Sequence, residues 1–218
     1  MKIEKYESKE AAGEILAEKL FELKLEKPYI MAVLRGGVQV AQVIADKFKL
    51  PVHPLIVKKL PSPENPEYGF GAVTEDGTLV LNENAVLSLK LSRDIIEKIA
   101  NTIVLEIQRR KNIFGELDNK KISESDVIIV DDGIATGYSL IAAINTVKKR
   151  RPKSITIAVP VSSLSAYSVI KKLADNIVCP LISSDYFFTV AAYYKTWSDL
   201  SEESLKFIIE DYKNKYSD

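Results

Sequence analysis

Val127-Ile128-Ile129-Val130-Asp131-Asp132-Gly133-Ile134-Ala135-Thr136-Gly137-Tyr138-Ser139 is the stretch on which the fold turns. It has three parts: an apolar strand, an acidic pair, and a small-residue turn entering a helix. The four-residue apolar run ending at a turn reads as a strand buried on both faces. The turn Ala135–Ser139 can aim several backbone N–H groups at one point. The helix N-terminus behind it adds partial positive charge. Thr136 and Ser139 supply hydroxyl donors, and Gly137 permits close approach or a positive φ. Together they make a phosphate cup without a cationic side chain. Asp131 and Asp132 stand just before the cup. They can accept hydrogen bonds from sugar hydroxyls or meet a metal-bound water, and two adjacent carboxylates call for a cationic partner. Thr136 or Ser139 alone would read as an ordinary helix cap. The whole string favours a ligand.

Working outward, Tyr29–Leu34 is a second apolar run that stops at Arg35-Gly36-Gly37. Leu55–Val57, Ile155–Val161 and Ile177–Ile182 read as further strands. Helical spacing marks 9–25 (Ala12, Ile15, Leu16, Leu20, Leu23), 38–48, 88–114, 138–149 and 164–174, and a last helix opens near Asp199. Strands alternating with helices predict a three-layer α/β/α domain on a mostly parallel sheet with right-handed crossovers. Ligands bind such sheets outside the carboxyl ends of the strands. Arg35-Gly36-Gly37 and Asp131-Asp132-Gly133 are therefore expected on one rim. Residues 1–218 read as one domain with two additions. Residues 58–84, dense in proline and glycine with a turn at Asp76-Gly77, read as a mobile arm with a hairpin. Residues 184–198 form an aromatic segment, at least half of whose large rings are expected to be buried.

Composition narrows the function. Of 218 residues, 46% are hydrophobic and 28% charged, with 30 Lys+Arg against 30 Asp+Glu. Zero net charge gives no general attraction to nucleic acid or an anionic membrane. One cysteine excludes an internal disulfide and one histidine a His-rich metal site. Without an 18-residue apolar run or an apolar leader, the expectation is a cytoplasmic protein. His53 and Cys179 read as structural. Lys148-Lys149-Arg150-Arg151 reads as a helix C-terminus suited by cations.

The 13 residues 127–139 closely resemble the 5-phosphoribosyl-1-pyrophosphate (PRPP) motif of type I phosphoribosyltransferases. Arg35-Gly36-Gly37-Val38 is similar to that family's pyrophosphate loop, and Lys58-Lys59 with the arm to its flexible catalytic loop. Asn65–Val73 resembles a subgroup known only as predicted phosphoribosyltransferases. The resemblance implies transfer of ribose 5-phosphate from PRPP to a nitrogen nucleophile, with pyrophosphate released. Magnesium arrives with PRPP, without confident direct ligation by the protein. Arg35, Gly36, Gly37 and Lys59 would take the pyrophosphate. Asp131 and Asp132 would hold the ribose. Ala135, Thr136, Gly137, Tyr138 and Ser139 would hold the 5-phosphate, and the arm would close as a lid. Phe188 and Val190 would form a hood over the base. A homodimer is also implied, with the apolar stripe of 88–114 as the candidate interface.

The acceptor is not legible. In hypoxanthine-guanine enzymes an Asp stands where Ala135 is. Strand 155–161 offers no lysine, and Lys195 occupies a position acidic in those enzymes. Two other readings compete. One is a PRPP- or nucleotide-sensing regulator on the same fold, compatible with Ala135. The other is a hydrolase using Glu67 or Glu75 as base.

Overall fold

The computed structural model describes residues 4–66 and 68–216. Helix α1 (Lys9–Phe21) is capped by Ser8, whose hydroxyl accepts from the Ala11 amide. There follow β1 (Pro28–Val33), α2 (Gly37–Phe48), β2 (Val52–Leu55), β3 (Val57–Pro61), β4 (Gly69–Thr74), β5 (Leu79–Leu81), α3 (Glu83–Ser88), α4 (Arg93–Phe114) and α5 (Asn119–Ser123). Then come β6 (Asp126–Val130), α6 (Tyr138–Lys148), β7 (Ser154–Ala158), β8 (Val161–Ser163), α7 (Leu164–Ile170), β9 (Asn176–Val178), β10 (Leu181–Ser183), a 3-10 turn (Val190–Tyr193) and α8 (Glu202–Tyr216).

The central sheet has the order β2-β1-β6-β7-β9 and every pairing in it is parallel. Strand period two sorts its side chains into two cores. Ile30, Ala32, Ile128 and Val130 join Leu16 and Leu20 of α1 and Ile44 of α2. Tyr29, Met31, Val33, Val127 and Ile129 join Leu140, Ile144 and Val147 of α6. Strands covered on both faces need apolar residues at consecutive positions, which is why 29–34 and 127–130 run unbroken. Among the described residues no helix is long and apolar enough to cross a membrane.

Several expectations shift. The strand expected at 155–161 breaks at Pro160 and the one at 177–182 at Pro180, since proline has no N–H for a ladder. Beyond the breaks, β8 and β10 pair with each other in a separate parallel sheet. The helix expected at 88–114 starts later, at Arg93, where Ser92 caps α4; a separate short helix, α3, capped by Asn82, ends at Ser88, and Lys90 between the two has φ 50°. Of the stripe proposed as a dimer interface (Leu91, Ile95, Ile99, Ile103, Ile107), Ile103 and Ile107 are buried in this chain's own core and Leu91 and Ile99 pack against it, while Ile95 is exposed. Leu105, 72% exposed, is left outside.

The arm is corrected most. Asp76-Gly77 does turn the chain between β4 and β5, but β3, β4 and β5 form an antiparallel sheet docked on the body. Leu60, Phe70, Ala72, Val73 and Thr74 are buried. Thr74 Oγ1 lies 2.7 Å from Thr146 Oγ1 of α6. The Asp76 carboxylate accepts from Thr74, Thr78 and Thr146 and meets Lys149 and Arg150. Lys149 and Arg150 of the basic run at 148–151 therefore serve this junction.

Candidate functional site

Register places the two glycine-bearing loops together. Ala32 pairs with Val130, so the chain leaves β1 and β6 at the same edge of the sheet. From β1 it passes to β2 on one side, then returns to β6 on the other. That reversal is the switch point at which α/β sheets open a crevice. The peptide joining Leu34 to Arg35 is cis, Arg35 is exposed, and Gly36 and Gly37 open α2. A Cβ on Gly36 would overlap the Asp132 carboxylate, and one on Gly37 would strike the Val130 carbonyl. The loops touch only because both residues lack side chains.

On the β6 side, Gly137 caps α6 with φ 87°, a left-handed conformation that favours glycine. A cavity of about 180 Å³ lies above it, and Asp131, Gly133, Ala135, Thr136, Ser139 and Val190 line it. Tyr138 is outside that lining and packs beside the α6 core. Ser163 Oγ donates to the Ala135 carbonyl at 2.7 Å and also caps α7, so the floor of the cup is tied to the neighbouring strand.

The aromatic segment reaches the same place. Val190 packs so closely on Gly133 that a Cβ there would lie 2.6 Å from Val190 Cγ1. Phe188 is half-buried and stacks on Tyr193, 5.1 Å between centroids. The Tyr194 hydroxyl donates to the Asp132 carbonyl at 2.6 Å. The rings are less buried than expected. Tyr194 is buried, but Tyr186 and Phe187 are about nine-tenths exposed and Trp197 is 38% exposed. This stretch runs along the rim and not beneath the sheet.

Lys59 is exposed on β3, its stem lying over Gly69, and it does not line the cavity. Its neighbour Lys58 pairs with Glu106 of α4 at 2.8 Å. Glu75 is buried away from the cup, facing Lys111 of α4 and Arg150. It cannot reach a ligand there, which removes it as a hydrolytic base. Glu67 lies outside the described residues.

Sequence reasoning missed Lys9. It is 1% exposed, its Nζ is 3.0 Å from Asp132 Oδ2, and it sits 3.9 Å from the centroid of the Trp197 ring. One signal was available. Lys9 shares the spacing of Ala12, Leu16 and Leu20, so a lysine stands on the buried stripe of α1. Burial, with the like charge of Asp132 beside it, pushes the Asp131 carboxyl well above its ordinary range. Burial also raises Asp132, and Lys9 opposes that rise. Among the described residues no group of three or more His, Cys, Asp or Glu could hold a metal. The Asp pair is suited to a cation that brings its own ligands, as Mg²⁺ on a diphosphate does.

A larger cavity, about 440 Å³, opens at the amino ends of the strands between Lys27, His53, Lys121 and Tyr216. No residue expected to act on a ligand lines it. His53 stacks on Tyr29 at 3.9 Å, and burial pushes its pKa down to about 4. Burial lifts the Cys179 thiol to about 12, leaving it unreactive.

Residues 3–196 match the phosphoribosyl transferase domain family. This chain belongs to that family. A Mycobacterium tuberculosis (strain H37Rv) protein, provisionally named a phosphoribosyl transferase, is 32% identical over 195 residues, 89% of this chain and 44% of the relative. The chain thus spans less than half the length of that relative. The crystal structure of TT1426 from Thermus thermophilus superposes with a TM-score of 0.75 at 31% identity, covering 95% of this chain and 99% of that one. A short segment of 36 residues, 16% of this chain and 17% of the relative, is 61% identical to uracil phosphoribosyltransferase of Ureaplasma parvum. The mostly parallel central sheet flanked by helices is that of the family's type I members.

Proposed function

We propose that this family member is a catalytic transferase that moves ribose 5-phosphate from PRPP to a nitrogen acceptor and releases pyrophosphate. The observation behind this reading is the contact between Gly36 and the Asp132 carboxylate. It supports the reading because it brings the Arg35–Gly37 loop against the Asp131–Asp132 pair, which leads into the Ala135–Ser139 turn on the same rim. Arg35 and the Gly36 and Gly37 amides would hold the departing pyrophosphate. Lys59 would join from β3. Asp131 and Asp132 would hold the ribose hydroxyls while charge develops at the sugar carbon, and Ala135–Ser139 would hold the 5-phosphate. Magnesium, when bound with PRPP, would neutralise the diphosphate. Phe188 and Val190 would cover the acceptor ring and exclude water.

The acceptor nitrogen gives its lone pair to the sugar carbon as the bond to pyrophosphate breaks. Among the described residues that line the cavity, no ionisable side chain besides Asp131 is placed to handle a ring proton. Lys195, at the hood, is paired with Glu7. The acceptor is therefore one whose nitrogen attacks without help from position 135. The bare Ala135 also favours a second reading, a PRPP- or nucleotide-sensing regulator.

One experiment separates them: pyrophosphate release from Mg-PRPP against adenine, hypoxanthine, guanine, uracil and orotate. It runs beside a no-base control and an Asp131→Asn/Asp132→Asn variant. Release that needs one base, and is lost in the variant, establishes the transferase and its acceptor. Release without base indicates hydrolysis. PRPP bound by calorimetry with no release supports the regulator.

A further inference from the structure

Lys9 is the most unusual charge in the described chain. Burying a lysine is costly unless its ammonium is paired. Here it has two carboxylates and a ring face: Asp132 at 3.0 Å, Asp199 at 3.4 Å and Trp197 at 3.9 Å. Asp199 is 58% exposed and its pairing is screened by water, whereas Asp132 is only 15% exposed. Asp132 is therefore the partner that matters.

We propose that Lys9 is an internal counter-ion that takes the cation position at Asp132 and keeps divalent metal off the Asp pair until a ligand delivers it. The inference rests on reading that pair as part of the PRPP site. Asp132 and Lys9 form a charge-compensated pair beside Asp131. Without Lys9 the Asp132 carboxylate stands uncompensated at a partly dehydrated site, next to a second carboxyl, and would attract a divalent ion more strongly. Lys9 also fixes one oxygen of Asp132, Oδ2, while Tyr194 fixes the main-chain carbonyl of the same residue. The carboxylate facing Gly36 is thus aimed from behind by a residue of α1. Lys9 acts through Asp132, so it is a positioning residue. Because Trp197 belongs to the aromatic segment and Asp199 directly follows it, the same ammonium ties that segment to the acidic pair.

The test is Mn²⁺ binding to ligand-free protein at pH 8, read by the loss of free-ion EPR signal. Wild type, Lys9→Met, Lys9→Arg and Lys9→Met/Asp132→Asn are compared, each checked for folding by circular dichroism. Lys9→Met should bind Mn²⁺ roughly tenfold or more tightly than wild type. Lys9→Arg should resemble wild type, and the double variant should lose the gain. Lys9→Gln, which can still hydrogen-bond Asp132, replaces Lys9→Met if the latter does not fold. A folded neutral variant that binds Mn²⁺ no more tightly than wild type overturns the proposal. No PRPP enters this measurement. Tightening alongside a wild type that neither binds PRPP nor releases pyrophosphate would sink the transferase reading and leave the counter-ion standing.

Discussion

The α-carbon of Gly36 lies so close to the carboxylate of Asp132 that a single methyl group there would overlap it. The two residues come from different loops, and their contact closes the switch point between β1 and β6. At Gly36 the obstacle is Asp132 Oδ2, the oxygen that pairs with buried Lys9, so making room means pulling that oxygen off the ammonium. The backbone, at φ −60°, already suits alanine. Gly36→Ala should therefore cost about 3 kcal/mol in urea unfolding through the weakened ion pair. It should weaken PRPP binding by about tenfold or more, since it moves Asp132. At Gly37 the obstacle is the Val130 carbonyl, part of the central ladder. Gly37→Ala should cost about 2–3 kcal/mol in urea unfolding. In a Lys9→Met background the Gly36→Ala loss should shrink while the Gly37→Ala loss persists; equal losses there would show that the loops are not packed in this way.

Val190 and Gly133 form the second tight contact of the rim. A methyl group on Gly133 would press on Val190 and also come within 3.0 Å of Val161 Cγ1. Gly133→Ala should displace Val190 and raise the KM for the acceptor several-fold, more than it weakens PRPP binding. Val190→Ala makes room, so the double variant should recover much of that loss. The readout is steady-state kinetics in both substrates, once an acceptor is known.

Asp76 fastens the β3–β5 sheet to α6. Its Oδ1 accepts from Thr74, Thr78 and Thr146 hydroxyls at 2.7, 2.6 and 3.0 Å, and these bonds hold its carboxyl far below the ordinary range. Asp76→Ala strips three hydroxyls of their acceptor and should cost about 2 kcal/mol. Hydrogen exchange should quicken along 69–81 and at the C-terminal turn of α6, with β1 and β6 unchanged.

How far the residues announced this arrangement depends on the range of the interaction. The unbroken runs 29–34 and 127–130 announce doubly covered strands, and a parallel sheet then puts both loops on one rim. The docked arm was hidden because its anchor joins Thr74 and Asp76 to Thr146, some 70 positions away. Proline and glycine density predicts mobility, although Phe70 and Val73 are core residues. Pro160 and Pro180 were visible, yet only the pairing of β8 with β10 explains why both strands step at once. Lys9 was overlooked because a charge at the first position of a helix ordinarily faces water, and nothing nearby in sequence names Asp132 as its partner.

Tyr29 has two titratable neighbours, buried Glu75 and half-buried His53, whose effects on stability oppose each other. Burial raises Glu75 from about 4.5 to about 7, against the pull of Lys111 and Arg150, and among the described residues its Oε2 has no hydrogen-bond partner. Between pH 4.5 and 7 the folded chain holds a proton there that the unfolded chain has released. Stability from this group therefore rises as pH falls through that window. Burial, aided by Lys121 and Lys213, lowers His53 from 6.5 to about 4. Between pH 6.5 and 4 the unfolded chain binds a proton that the folded chain refuses, so stability from His53 falls as pH falls. Each group is worth up to about 3 kcal/mol across its window. In wild type the two should largely cancel from pH 6.5 to 4.5. Glu75→Gln leaves His53 unopposed, and its unfolding free energy should drop on acidification. His53→Phe keeps a ring on Tyr29 and leaves Glu75 unopposed, so stability should climb from pH 7 to 4.5. Urea unfolding at pH 4.5, 5.5, 6.5 and 7.5 checks both slopes. Two variants that follow the wild-type profile would mean that neither group titrates in the folded chain at the pH its burial dictates.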